Sequence, residues 1–270
     1  MPSASAPWAT WTVHPSVILG LALLGGLYVY LGGLAAPRRR VAAFAGALLV
    51  LLLSLNGPLH DLSDRSLFSA HMLQHLVLTL VFPPLFLYGL TPAVVRPFLG
   101  PAWVLRLGAW MTRPIQAGAI FTVPIALWHL PRFYEAAMRD HNLHILQHLL
   151  FISTSVIMWW PILSPVPELP RASYPAQLLY LFLLGIPMSV VGAMITLADD
   201  PLYPFYVAAP RVFGLTPLAD QQIGGLMMWV PGGLVFWLAM TVVWFRWARR
   251  EHRGEGDRYV PPEVYGTTAR

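Results

Sequence analysis

Two stretches of the chain are nearly identical, His71-Met-Leu-Gln-His75-Leu and His144-Ile-Leu-Gln-His148-Leu, 73 residues apart. Each holds two histidines four residues apart at the start of an apolar run. Four residues is slightly more than one helical turn, so each pair sets both imidazoles on one helix face. An imidazole in an apolar helix is costly unless it is bonded. A neighbouring backbone carbonyl satisfies one such ring, but two pairs at equal depth on two helices point to a shared ligand. Neutral imidazole suits copper, zinc and iron. The first expectation is therefore a metal site drawn from His71, His75, His144 and His148; the alternative is haem held between His75 and His148.

Other chemistries lack their residues. A zinc protease of the H-E-x-x-H type needs a glutamate after the first histidine, where this chain has Met72 and Ile145. No helix carries the Glu-x-x-His spacing of di-iron carboxylate sites. There is no cysteine, which removes disulfides and thiolate ligands, and all 17 basic residues are arginine, which removes lysine Schiff-base chemistry. With no activated nucleophile or general base near the histidines, an enzyme is not expected.

The elements that position these residues are apolar. The chain of 270 residues is 57% hydrophobic and 11% charged, against about 25% charged in soluble domains. A spanning helix needs about 20 apolar residues. Seven segments qualify, 16–35, 41–58, 67–90, 115–130, 143–164, 176–197 and 223–246, and 91–114 could hold an interfacial helix. The fold class is thus all-α, a polytopic membrane protein: a short external stretch 1–15, a seven-helix domain 16–247, and a basic cytoplasmic tail 248–270. Met1 to Ser16 has no basic region before an apolar one, so it does not read as a cleavable signal peptide. Seven spans put thirteen arginines on the side of the C-terminus and only Arg65, Arg132, Arg139 and Arg211 on the other. The positive-inside rule then sets the N-terminus outside and the C-terminus inside. The tail is expected to touch lipid headgroups rather than nucleic acid.

In this topology the third and fifth helices start at the outer face with their histidine pairs, and so does the seventh, Leu218-Ala-Asp220-Gln-Gln-Ile-Gly224-Gly225-Leu-Met227-Met228-Trp229. A shift of 149 residues aligns Asp220 with His71 and Gly224 with His75, which suggests a threefold repeat of helix pairs. Asp220 reads equally as a helix N-cap or as a ligand. Met227 and Met228 read as packing, with a soft thioether role as the alternative. His60 and His129, at the polar outer ends of even-numbered helices, are possible secondary ligands. The outer connections carry Asp61, Asp64, Glu135, Asp140, Asp199, Asp200 and Asp220 against four arginines, a net of about −3, which suits a cation at that face.

The stretches Leu67-Phe-Ser-Ala-His71-Met-Leu-Gln-His75, His144-Ile-Leu-Gln-His148 and Asp220-Gln-Gln-Ile-Gly-Gly-Leu-Met-Met-Trp229, with Leu202-Tyr203-Pro204-Phe205-Tyr206, resemble the CtaG family of bacterial seven-helix membrane proteins. The resemblance runs from about Trp11 to Trp247. It implies a plasma-membrane assembly factor for caa3-type cytochrome c oxidase, a chaperone that handles copper for the oxidase subunits. By motif match the copper role falls on His71, His75, His144, His148 and Asp220. Within that set we expect His75 and His148, one turn deeper, to form the core. His71, His144 and Asp220 are then outer ligands or a relay.

Overall fold

The computed structural model describes residues 12–253 and is all-helical among them. The helices in chain order are α1 (Pro15–Tyr30), α2 (Arg38–Leu55), α3 (Pro58–Arg65), α4 (Phe68–Leu76), α5 (Phe82–Gly89), α6 (Pro92–Val95), α7 (Ala102–Met111), α8 (Pro114–Trp128), α9 (Pro131–Arg139), α10 (His141–Leu163), α11 (Tyr174–Thr196), α12 (Pro204–Ala208) and α13 (Pro217–His252). Proline stands in the first turn of α1, α3, α8, α9, α11, α12 and α13, where its missing N–H has no partner to lose.

Four stretches are long and apolar enough to cross a membrane: Phe68–Gly89, His141–Leu163, Tyr174–Thr196 and Pro217–His252. A fifth is added if α2 and α3, bent by 42° relative to each other, count as one. The expected spans 16–35 and 115–130 correspond to α1 and α8, which are apolar but shorter. The 91–114 connection contains α6 and α7, as short helices. Side chains such as Leu19, Leu179, Met194 and Trp237 point outward with more than half of their surface exposed. Apolar faces of that extent fit helices surrounded by lipid.

α4 and α5 form one continuous stretch joined by a single π turn, Val77–Val81. Its cause is local: Pro83 and Pro84 have no N–H, so the carbonyls of Thr79 and Leu80 lose their helical donors. The Trp159 indole N–H of α10 donates to the Thr79 carbonyl at 3.0 Å. That bond locks α10 against the π turn, one helical turn below His75.

Small residues set the approach of α13. A Cβ on Gly225 would lie 2.6 Å from Thr196 Oγ1, and one on Gly192 would lie 2.8 Å from the Trp229 nitrogen, so α11 and α13 touch backbone to backbone. On another face of α13, a Cβ at Gly224 would lie 2.5 Å from the Phe68 ring. The last helix is thereby held against the first turn of α4. The main apolar core runs through Leu76, Leu80, Phe121, Phe151, Met158, Trp159, Leu181 and Phe236. A second cluster of Phe68, Met72, Tyr134, Ile195, Tyr203, Tyr206 and Met228 covers the end of the bundle where the histidines lie.

Candidate metal centre

The helices α4 and α10 present their histidine pairs to each other. Ring centroids are 5.2 Å apart for His75 and His148, 5.3 Å for His71 and His144, and 6.0 Å for His71 and His148. One ring nitrogen from each of His71, His75 and His148 lies within 4.8 Å of the other two, and all three residues are buried. Three imidazole nitrogens converging in an apolar interior make a ready site for a soft or borderline transition-metal ion.

Hydrogen bonds orient the rings. His71 Nδ1 sits 2.8 Å from the Tyr206 hydroxyl and 3.0 Å from that of Tyr134. Tyr206 donates its one proton to the Ser63 carbonyl at 2.6 Å, so toward His71 its oxygen accepts. His71 therefore carries its proton on Nδ1 and presents the Nε2 lone pair to the interior. This is how metal-binding imidazoles are usually oriented by the groups behind them. Burial pushes the Tyr134 and Tyr206 hydroxyls well above their usual range, and they remain neutral donors and acceptors. His71 Nε2 lies 2.8 Å from His75 Nε2, a bond in which His75 donates. A metal ion held at both Nε2 atoms would require His75 in its other tautomer, with the proton on Nδ1. The Nδ1 of His75 is buried with no hydrogen-bond partner.

His144 stands apart from this group. Its Nε2 lies 3.2 Å from His148 Nε2 and 3.6 Å from Asp64 Oδ1, so it bridges the triad to a carboxylate on α3. The sequence expected His71 and His144 to be equivalent outer residues. The structure instead groups His71 with the deeper pair, because Tyr134 and Tyr206 close over it and leave it 0% exposed.

Asp220 is not gathered with the imidazoles. Leu67 cannot cap α4, and Asp220 reaches across from α13 to do so. Its carboxylate accepts from the Phe68 N–H at 2.7 Å, the Ser69 N–H at 3.1 Å and the Ser69 hydroxyl at 2.5 Å. Of the two roles the sequence left open for Asp220, the capping one is therefore made, with α4 rather than its own helix as the recipient. Met228 packs within the cluster around Phe68, and Met227 packs on the main core. His129 donates from Nδ1 to the Ile125 carbonyl at 2.7 Å, and its buried Nε2 has no hydrogen-bond partner. Its ring is 6.3 Å from that of His75, which makes it a second candidate for a fourth donor besides the nearer His144. His60 lies on the other side, facing Asp64 at 3.4 Å.

Sequence reasoning missed Tyr134 and Tyr206. Tyr206 belongs to the Leu202–Tyr206 stretch, but no spacing linked that connection to the histidines. The signal available was two tyrosines in otherwise polar outer connections.

The chain is 24% identical over 249 residues to an uncharacterized protein of Mycobacterium bovis, covering 83% of this chain and 37% of that protein. A Mycobacterium leprae protein, also uncharacterized, is 22% identical over 255 residues, covering 88% of this chain and 38% of its own. The chain therefore spans a little over a third of the length of these curated relatives. No solved structure matches it. The family model for the cytochrome c oxidase caa3 assembly factor (Caa3_CtaG) matches residues 23–250, nearly the whole of the helical bundle, and the chain belongs to that family.

Proposed function

We propose that this assembly factor binds copper as cargo at His71, His75 and His148 and hands it to cytochrome c oxidase, in which copper is a constituent of the haem–copper centre. The observation that carries the reading is the convergence of three buried imidazole nitrogens within 4.8 Å. An assembly factor is not a class of catalyst, and the oxidase is the kind of partner the family implies. Copper fits the donor set: imidazole ligands in low coordination suit it, and among the described residues no carboxylate joins the triad to favour a hard cation. His129, with its free Nε2, is the fourth donor in this reading, and His144 the ligand nearest the surface.

The seven-span topology supports the same role. α1, α2 and α8 complete the count as shorter members beside the four long spans. The side poor in arginine then holds the histidines, with the N-terminus outside, the C-terminus inside, and the plasma membrane as the location. In the threefold repeat, the third copy keeps the approach and loses the ligands: Gly224, in register with His75, gives α13 its contact with α4.

Haem is disfavoured by the packing. The His75 and His148 rings are 5.2 Å apart, and Phe151 packs 4.8 Å from His75. A macrocycle between the two rings would force these helices apart.

The test is metal analysis of the purified protein together with its absorption spectrum. Stoichiometric copper without a Soret band is expected, and His75→Ala and His148→Ala should each abolish it while the helical circular dichroism persists. Retention of full copper by both variants would refute the assignment.

A further inference from the structure

We infer that Asp64 and His144 form the loading station of the buried triad: the cation docks first on the Asp64 carboxylate and passes through His144 to His148. The inference rests on the copper reading above and adds the route by which the ion reaches a site closed to water.

The geometry is a line of donors that grows more buried. Asp64 is the most exposed member, with 29% of its side chain accessible, against 9% for His144. Asp64 Oδ1 lies 3.6 Å from His144 Nε2, and that nitrogen lies 3.2 Å from His148 Nε2. Two donors bound to one ion at about 2.0–2.2 Å each stand roughly 3.3–3.6 Å apart in tetrahedral geometry. The outer step, at 3.6 Å, has that spacing and the inner one, at 3.2 Å, is within about 0.1 Å of it, so an ion can be shared between successive pairs without large movement of the backbone. His144 is common to both pairs and acts as the carrier ligand.

The carboxylate is aimed by a chain of hydrogen bonds that uses the glutamine of the first repeated motif. Gln74, fully buried, donates from Nε2 to the Ser54 carbonyl at 2.6 Å and faces His60 Nδ1 at 3.1 Å with the same amide nitrogen. His60 Nδ1 is then an acceptor, so the ring proton sits on Nε2, which faces Asp64 Oδ2 at 3.4 Å. The Ser63 hydroxyl lies 3.0 Å from Oδ1. His14 packs edge-on against His60 with centroids 4.7 Å apart and fixes the plane of its ring. One carboxylate oxygen is thus held by His60, and the other is turned toward His144. The neighbouring Asp61 is engaged elsewhere: it accepts from the Thr12 N–H and hydroxyl at 3.2 and 3.0 Å. Asp64 is left as the carboxylate that meets an incoming cation. A single negative charge at the mouth of an apolar site raises the local cation concentration and the rate of capture.

The test is stopped-flow loading of the purified protein in nanodiscs with copper(I) supplied as its cationic acetonitrile complex, followed by the final copper content. Asp64→Asn should slow loading by about tenfold or more while the copper bound at equilibrium stays at the wild-type level; Asp64→Glu should restore much of the rate. His144→Ala should slow loading by a similar factor. If Asp64→Asn loads at the wild-type rate, the loading station is refuted and the copper reading stands. If the wild-type protein takes up no copper at all, the copper reading fails and the route falls with it. If Asp64→Asn lowers equilibrium copper as much as His148→Ala does, Asp64 belongs to the storage site and the two-step route is wrong.

Discussion

Tyr206 commits its only proton to the Ser63 carbonyl and thereby fixes which nitrogen of His71 is free for a metal. Removing that hydroxyl leaves the His71 Nδ1–H with Tyr134 alone, 3.0 Å away. Groups that orient a metal-binding imidazole from behind contribute about 10–100-fold to affinity. Tyr206→Phe should therefore weaken copper binding by about that factor, as read by competition with a chelator, with little change in the fold, since the ring still packs against Phe68. At this scale the sequence was only half legible. The i, i+4 spacing placed the four histidines on the correct faces, because helical geometry is local. The tyrosines and Asp64 come from α12, α9 and α3, and no local pattern says which connection folds over which helix end. The same holds for Gln74 and Gln147: the motifs are alike, yet Gln74 is fully bonded while both amide atoms of Gln147 lack a partner.

Among the elements, α4 carries two of the three converging histidines and draws no cap from its own segment. It has no capping side chain of its own, follows Leu67, and ends in a π turn. α10, by contrast, is capped by Asp140, which accepts from the Asn142 and Leu143 N–H groups at 2.8 and 3.2 Å. What α4 lacks, α13 supplies through Asp220, and Gly224 allows the approach. Gly224→Ala would set a methyl 2.5 Å from the Phe68 ring and 3.1 Å from Met72. Overpacking of this kind costs about 1–3 kcal/mol. It should lower the melting temperature and also loosen copper, by tilting His71 and His75 away from His148; thermal unfolding with and without copper measures both. Asp220→Ala should act in the same direction by about 1–2 kcal/mol through the lost cap. The helices were legible from apolar runs and proline punctuation, with α13 as the main discrepancy. Its 36 residues extend to about 54 Å, well past the span of 223–246 read from hydropathy, because polar first and last turns continue a helix without being apolar. The cap was legible only as an alternative: aspartate at a helix start suggested capping its own helix, and the recipient turned out to be α4, 152 residues away.

For the whole molecule, the two ends differ in charge as well as in contents. Arg38, Arg39 and Arg40 begin α2 at one end, and Arg246, Arg249 and Arg250 close α13 at that same end; the histidines lie at the other. The proposed orientation has a direct test, since the chain has no cysteine of its own. Single cysteines placed at Ser16 and at His252 should differ in whole cells: an impermeant maleimide should label the first and leave the second unlabelled until the membrane is opened. The reverse pattern would invert the topology and move the histidine cluster to the cytoplasmic face. Membrane embedding was legible from composition alone, since it depends on summed transfer energies. The mutual placement of α4, α10 and α13 was not, because it depends on which glycines meet which rings.

The reach of Asp220 across to α4 also imposes an order on biosynthesis. The ribosome makes α4 long before α13, and until α13 has entered the membrane the first turn of α4 lacks the carboxylate that accepts from the N–H groups of Phe68 and Ser69. A nascent chain stalled or cut short before residue 217 thus contains every histidine of the site but not the carboxylate that sets α4 in place. The histidine-bearing α4 is therefore set in place only once α13 has been made and packed beside it.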